Sequence, residues 1–155
     1  MPSVLTRDFG LLDTDTSAEL HFPLGLPGFA SEKSFVVIEQ TASAPLVFLQ
    51  STTTSSLCFL AIPVLQIDPD YQIGMSLEDL RAIGCIETEN ACQPVLGSEV
   101  LCLTILSAHD DGTLTANLLA PIVVNLQTRL SVQAVRLDSR YSHQTALTQG
   151  EPAKC

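Results

Sequence analysis

Apolar residues in this chain come in short, β-branched runs, each closed off by glycine, proline or a cluster of Asp, Asn, Ser and Thr. FVVIE, LVFLQS, LCFLAIPVL, EVLCLTIL and RLSVQAVRL are five to nine residues long. Runs like these suit strands, because branched side chains pack on a pleated surface and lose freedom in a helix. Along the sequence, SVLTRDFGLLDTD reads as a hairpin turning at Asp8-Phe9-Gly10, and AELHF as a strand ending at Pro23. Gly25, Pro27 and Gly28 punctuate PLGLPGFASEK into a loop. FVVIE and LVFLQS are the next two strands, joined across residues 41–45. LCFLAIPVL is apolar throughout, which predicts a strand buried on both faces. LTANLLAPIVVN reads as two extended pieces broken at Pro121. RLSVQAVRL places Leu130, Val132 and Ala134 on a core side and Arg129, Ser131 and Gln133 on a wet side.

One helix is expected. Ser76 can cap it, and Asp79 follows three residues later in a capping-box-like position. Leu77, Leu80 and Ile83 share a face at helical spacing, and Gly84 supplies the stop. The fold class is therefore mainly β: a small β-barrel or split barrel of short antiparallel strands with one short helix. At 155 residues the chain fits one domain, read as residues 1–147 with a polar tail at 148–155.

Charge excludes some partners. The formal net charge is −10, so direct nucleic-acid binding and docking on anionic lipid are not expected. Residues 1–128 hold 3 basic and 15 acidic side chains, whereas residues 129–155 hold 4 and 2. No basic start followed by an apolar stretch opens the sequence, and the longest apolar run, Leu57 to Leu65, is too short to span a bilayer. No membrane association is expected, and the expected compartment is cytoplasmic.

Five cysteines in no C-x-x-C arrangement suggest neither a disulfide framework nor a zinc site. Cys58 and Cys102 read as small core residues, Cys85 and Cys92 as loop thiols, and Cys155 ends the chain. Catalytic signatures are missing as well. No G-x-S-x-G occurs, and His109-Asp110-Asp111 precedes Gly112 as a turn would. Asp68-Pro69-Asp70 fails the calcium-loop pattern, with Ile73 where glycine is required. Gly25-Leu26-Pro27-Gly28 lacks the spacing and lysine of a phosphate loop. The chain is not expected to be an enzyme, nor to carry a cofactor or metal.

Specific strings go further than composition. His21-Phe22-Pro23-Leu24-Gly25-Leu26-Pro27-Gly28-Phe29 resembles the HFPxGLPGF signature of the flagellar assembly factor FliW family. Phe48-Leu49-Gln50-Ser51, Asp68-Pro69-Asp70-Tyr71, the stretch from Thr115 to Asn125 and the stretch from Asp138 to His143 follow in the family order. The resemblance spans roughly residues 3 to 147. It implies a small cytoplasmic β-rich protein that binds unexported flagellin as a chaperone. It also implies a second partner, CsrA, a small RNA-binding protein that represses translation of flagellin messenger RNA, with FliW-like proteins antagonising that repression. Two departures stand out: Leu24 occupies a position where many relatives carry an acid, and Arg129-Leu130-Ser131 lacks the glycine usual in that segment.

Mapped on this sequence, the resemblance nominates Phe22, Gly25, Pro27, Gly28, Phe29, Asp68, Asp70, Tyr71, Asn117, Pro121 and Asn125 for partner binding. Structural roles compete with that reading. Gly25, Pro27 and Gly28 suit a turn, and Phe22 and Phe29 suit core plugs. Asn117 and Asn125 suit backbone bridges, and Pro121 a strand break. Two other function classes compete: a small-ligand-binding β-barrel, and a hydrolase using His109 or His143.

Overall fold

The computed structural model describes residues 3–6, 10–13, 19–26, 28–39, 45–85, 94–135, 141–142 and 145–147. Within them the short apolar runs form strands β1 (Ser3–Thr6), β2 (Gly10–Asp13), β3 (Glu19–His21), β4 (Ser34–Glu39), β5 (Val47–Ser51) and β6 (Cys58–Pro63). Strands β7 (Val100–Ala108), β8 (Leu114–Ala116), β9 (Ile122–Asn125), β10 (Ser131–Gln133) and β11 (Thr145–Leu147) follow. The helix α1 spans Leu77–Ala82, and Val64–Gln66 form a single turn of 3-10 helix. β1 and β2 pair as the expected antiparallel hairpin, although its turn at Asp8-Phe9 lies outside the described residues. The other strands make one antiparallel sheet in the order β10-β9-β7-β6-β5-β4-β3, with β8 between β7 and β11. Its two ends curl until β3 meets β10, giving a nearly closed barrel. Residues 148–155 lie outside the described residues.

Strand alternation divides the core in two. Leu101, Leu103 and Ile105 of β7, with Ile122 and Val124 of β9, face the barrel interior, together with Leu20, Phe22, Phe35, Val47, Leu49 and Ala61. The alternate residues Val100, Cys102 and Val123 face outward, yet they are fully buried. A cap made of the 3-10 turn, α1 and the chain between them covers them with Val64, Tyr71, Met75, Leu80 and Ile83. Each such side chain removed from water contributes about 1.5–3 kcal/mol. This second core is what stabilises a helix of only six residues.

The ends of α1 follow the sequence closely. The Ser76 hydroxyl accepts the Asp79 N–H at 3.1 Å. Gly84, at φ +75°, donates to Arg81 C=O at 3.1 Å, and Cys85 donates to Leu80 C=O at 2.9 Å. Those two bonds are a Schellman ending. Leu77, however, is 50% exposed while Leu80 and Ile83 are fully buried. Leu77 opens the first turn and stands about 60° around the helix from Leu80, off the stripe that meets the barrel wall.

Two strand expectations are corrected. LCFLAIPVL is not buried on both faces: in β6 only Ala61 is buried, and Cys58, Leu60 and Ile62 stay partly exposed. The run also stops being a strand at Pro63, where it turns into the 3-10 helix. The cap covers only the β7-β9-β10 side of the wall, so β6 has one core face rather than two. Ser131 is not on a wet side. It pairs with inward-facing Val124, so its face is the barrel interior, and it is fully buried with its hydroxyl donating to Arg129 C=O at 3.3 Å.

Among the described residues, closure of the barrel rests on one bridge. Asn125 N–H to Leu130 C=O (2.9 Å) and Ala134 N–H to Pro121 C=O (2.9 Å) bracket the β9–β10 ladder. With Ser131 opposite Val124, these bonds turn the backbone groups of Ser131 and Gln133 away from β9 and toward β3. Phe22 N–H to Lys33 C=O (2.8 Å) likewise turns those of Glu19 and His21 away from β4. His21 donates to Arg129 C=O at 3.1 Å and forms a parallel bridge with Leu130. One step further along this ladder, residue 23 would have to donate, and Pro23 has no N–H. One step back, Arg129 would have to donate, but its N–H is given to Asn125 C=O at 2.8 Å.

Arg129 is held there at φ +65°, the only positive φ on a non-glycine residue among those described. That conformation costs an L-residue about 1–2 kcal/mol, which glycine does not incur. Arg129→Gly gives part of this back to the unfolded chain as entropy. A net gain of about 0.5–1 kcal/mol is expected, read as a rise of about 1–3 °C in thermal unfolding. A fall in Tm would show that the Arg129 side chain contributes more than its backbone costs.

Candidate partner-binding surface

The HFPLGLPGF segment forms a loop that starts at the end of β3 and folds back on itself. Gly25 donates to Phe22 C=O at 2.9 Å, and Leu26 and Phe29 exchange both backbone bonds, at 3.3 and 2.7 Å. Gly25 sits at φ +68°, and a Cβ on it would lie 2.5 Å from the Ala30 carbonyl oxygen. Gly28, at φ +82°, has open space where its Cβ would be. The two glycines thus differ: Gly25 permits a close backbone crossing, whereas Gly28 only permits the turn. Pro27 lies outside the described residues.

The loop's apolar side chains divide between core and surface. Phe22 and Leu26 are buried, while Leu24 and Phe29 are 48% and 42% exposed. Phe29 is not loosely attached. Its ring meets Phe59 edge-on at 5.7 Å, Phe59 lies 5.9 Å from Phe35, and Phe35 meets Phe22 edge-on at 5.5 Å. A continuous aromatic series therefore runs from the barrel interior to the surface. Such edge contacts add about 0.5–1.5 kcal/mol each beyond area burial.

Glu32 fastens the far side of the loop. Its carboxylate accepts hydrogen bonds from the hydroxyls of Ser51, Thr53 (3.2 Å) and Thr54 (2.8 Å). Ser51 Oγ in turn accepts the N–H groups of Thr53 and Thr54 at 3.1 and 2.9 Å. Gln50, fully buried, donates from Nε2 to the carbonyls of Ser51, Thr54 and Ser55. The sequence held no local sign of Glu32, because its partners lie 19 to 22 positions away. The run Ser51-Thr52-Thr53-Thr54-Ser55-Ser56 was the available clue to a hydroxyl-rich turn needing an acceptor.

The remaining nominated residues gather elsewhere, around the cap. Asp68 accepts the Asp70 N–H at 3.0 Å, forming the turn that leaves Asp70 exposed. Tyr71 is buried, donates to Leu118 C=O at 2.6 Å and lies against Tyr141 at 4.4 Å. Asn117 Oδ1 accepts the Ala120 N–H at 3.0 Å, and buried Pro121 accepts from Ala134. Asn125 is a three-way clip: its amide donates to Ile83 C=O at 2.7 Å, and its Oδ1 accepts from Gln127 and Thr128 at 2.9 and 3.3 Å. It ties the end of α1 to the β9–β10 turn. Of the nominated residues described, Phe29, Gly28 and Asp70 are the exposed ones. Asp70 lies close in sequence to Asp68, Glu78 and Asp79, so the cap carries four acids against Arg81.

Other reactive groups have quiet surroundings. His109 Nε2 lies 2.9 Å from Thr115 Oγ1, and Asp111 accepts from the Thr113 N–H and hydroxyl at 3.0 and 2.7 Å, as a turn residue does. Burial pushes the Cys102 thiol up to about 12, and burial followed by the Glu99 charge raises that of Cys85. Neither thiol is an activated nucleophile. Cys58 is half-buried on β6 rather than in a core, and Cys92, Cys155 and His143 lie outside the described residues.

Two outcomes follow from the loop. Gly25→Ala meets both a costly left-handed φ and the Ala30 backbone, so it costs about 2–4 kcal/mol, whereas Gly28→Ala costs about 1 kcal/mol. Equal losses in chemical denaturation would remove the close-crossing account. The Ser51 hydroxyl, then Thr54 and Thr53, hold the Glu32 carboxylate below its ordinary value of 4.5. A lowered folded pKa gives stability that is present above that ordinary value and lost as pH falls through the lowered one. Glu32→Gln therefore flattens the acid limb of the stability–pH curve below about pH 4.5. An unchanged acid limb would show that the carboxylate does not hold the turn.

With this geometry in view, relatives are informative. The model of the FliW protein family matches residues 3–147. A flagellar assembly factor FliW from Heliobacterium modesticaldum is 34% identical over 139 residues, covering 90% of this chain and 86% of that protein. One from Geobacillus sp. is 32% identical over 154 residues, covering 97% and 99%. A crystal structure of the flagellar assembly factor FliW superposes with a TM-score of 0.77 at 28% identity, covering 95% of this chain and 97% of that one. The signature loop, the nearly closed barrel and these matches agree across almost the whole length: the chain belongs to the FliW family of flagellar assembly factors.

Proposed function

We propose that this protein is a cytoplasmic flagellar assembly factor that works by binding two proteins and catalyses nothing. It holds unexported flagellin, and it binds CsrA and so relieves repression of flagellin messenger RNA. Family membership supports the two partners. The observation that carries a binding role is the exposed Phe29, held edge-on against the partly buried Phe59, with exposed Leu24 in the same loop. An exposed aromatic on a rigid support is the usual anchor of a protein interface, since little freedom is lost on docking.

The acidic cap supports a second contact. An RNA-binding partner presents basic surface, and the cap offers Asp68, Asp70, Glu78 and Asp79. Two unit charges about 10 Å apart in water interact by only about 0.4 kcal/mol, so several of these acids act together. No observation favours the small-ligand reading. Among the described residues, Leu20, Phe22, Phe35, Leu49, Leu103 and Ile122 pack together in the barrel interior. Among the described residues no helix is long and apolar enough to cross a membrane.

The test is titration calorimetry against cognate CsrA and cognate flagellin. Phe29→Ala weakens one partner about 10-fold or more, with Tm lowered by less than about 3 °C. Asp70→Asn with Glu78→Gln weakens CsrA and reduces the salt dependence of its binding. A wild-type chain that binds neither protein would overturn the reading.

A further inference from the structure

We infer that the seam between β3 and β10 opens in the folded protein and takes an extended segment of flagellin as an added strand. This deepens the two-partner reading and rests on it.

Among the described residues, every other neighbouring pair in the sheet is joined by three or more registered residues, while this one is joined by the single His21–Leu130 bridge. Both directions of extension are blocked by covalent or local chemistry, at Pro23 and at the Arg129 N–H. Among the described residues, the register nevertheless points the Ser131 C=O and the backbone groups of Glu19 and Gln133 into the gap, the Ser131 N–H being given to His21 C=O in the bridge itself. Those groups need a partner with donors and acceptors at strand spacing, which an extended polypeptide supplies.

The surroundings select the segment. The exposed Leu24 and Phe29 belong to the loop that follows β3, so a strand in the seam ends beside a loop with apolar side chains in solvent. Lys33 and Arg129 are two of the three Lys/Arg side chains described, and His21 joins them there. Of the acids nearby, Glu19 accepts the Ser34 hydroxyl and Glu32 is held by the hydroxyl turn. Among the described residues, Lys33 and Arg129 balance Glu19 and Glu32 here, while the cap is acidic. A basic RNA-binding protein is drawn to the cap, which leaves the seam to flagellin.

Two measurements test it. In the free wild-type protein, hydrogen exchange compares the His21 amide, which crosses the seam, with the Leu20 amide, whose register faces β4. His21 is expected to exchange at least about 30-fold faster under conditions where the protein stays folded. Equal rates would overturn the opening seam whether or not any partner binds. The double variant His21→Cys, Leu130→Cys then locks the bridge when oxidised. Oxidation is expected to weaken flagellin at least about 10-fold and leave CsrA within about 2-fold, with dithiothreitol restoring flagellin binding. Unchanged flagellin affinity, or an equal loss of CsrA, overturns the assignment. A wild-type chain that binds neither protein defeats the two-partner reading and the inserted strand with it, while the exchange comparison still decides the opening.

Discussion

Both faces of the β7–β9 wall are apolar, and a chain of 155 residues must cover both. That constraint organises the molecule. Inward, Leu103, Ile122 and Val124 are covered by curling the sheet on itself. Outward, Cys102 and Val123 are covered by the cap that carries Leu80 and Ile83. The barrel and the helix are therefore two answers to one wall. Removing the cap would leave the outer row of the wall facing water, and the six-residue helix has no stability of its own to bring.

The polar connections serve the same end. Asn125 bonds the end of α1 to the β9–β10 turn, so the cap is tied to the closing strand. That same turn draws the Arg129 backbone into the left-handed region and takes its N–H, which limits the closure at β3 to one bridge. The tight cap and the weak seam thus share a cause. On the opposite side of the bridge the signature loop uses Pro23 to end the ladder and Gly25 to turn back, with Phe22 as its buried foot and Phe29 as its exposed tip.

Much of this was legible in the residues. Ser76 and Gly84 bound the helix because capping and chain reversal are local physics, decided within a few residues. Pro121 separates β8 from β9 because a missing N–H acts wherever it stands. The glycines of the signature loop announced a turn for the same reason. Exposure was less legible. Leu77 and Leu80 look equivalent in the sequence, and only the angle at which α1 meets the wall exposes one and buries the other. Ser131 reads as polar and wet, but it became interior once β10 closed the barrel.

The candidate site divides along that line. The sequence by itself determined the strands, the capped helix, the signature loop and the acidic balance, because each follows from side-chain shape, missing donors or charge. Tertiary structure alone decided that Tyr71 and Asn125 hold the fold from buried positions while Phe29 and Asp70 face solvent. It also brought Glu32 to the Ser51–Thr54 turn, and His21 to Leu130, across 19 or more positions of chain. The physical reason is that these contacts depend on where the sheet closes. Closure is set by the sum of two cores rather than by any local run of residues.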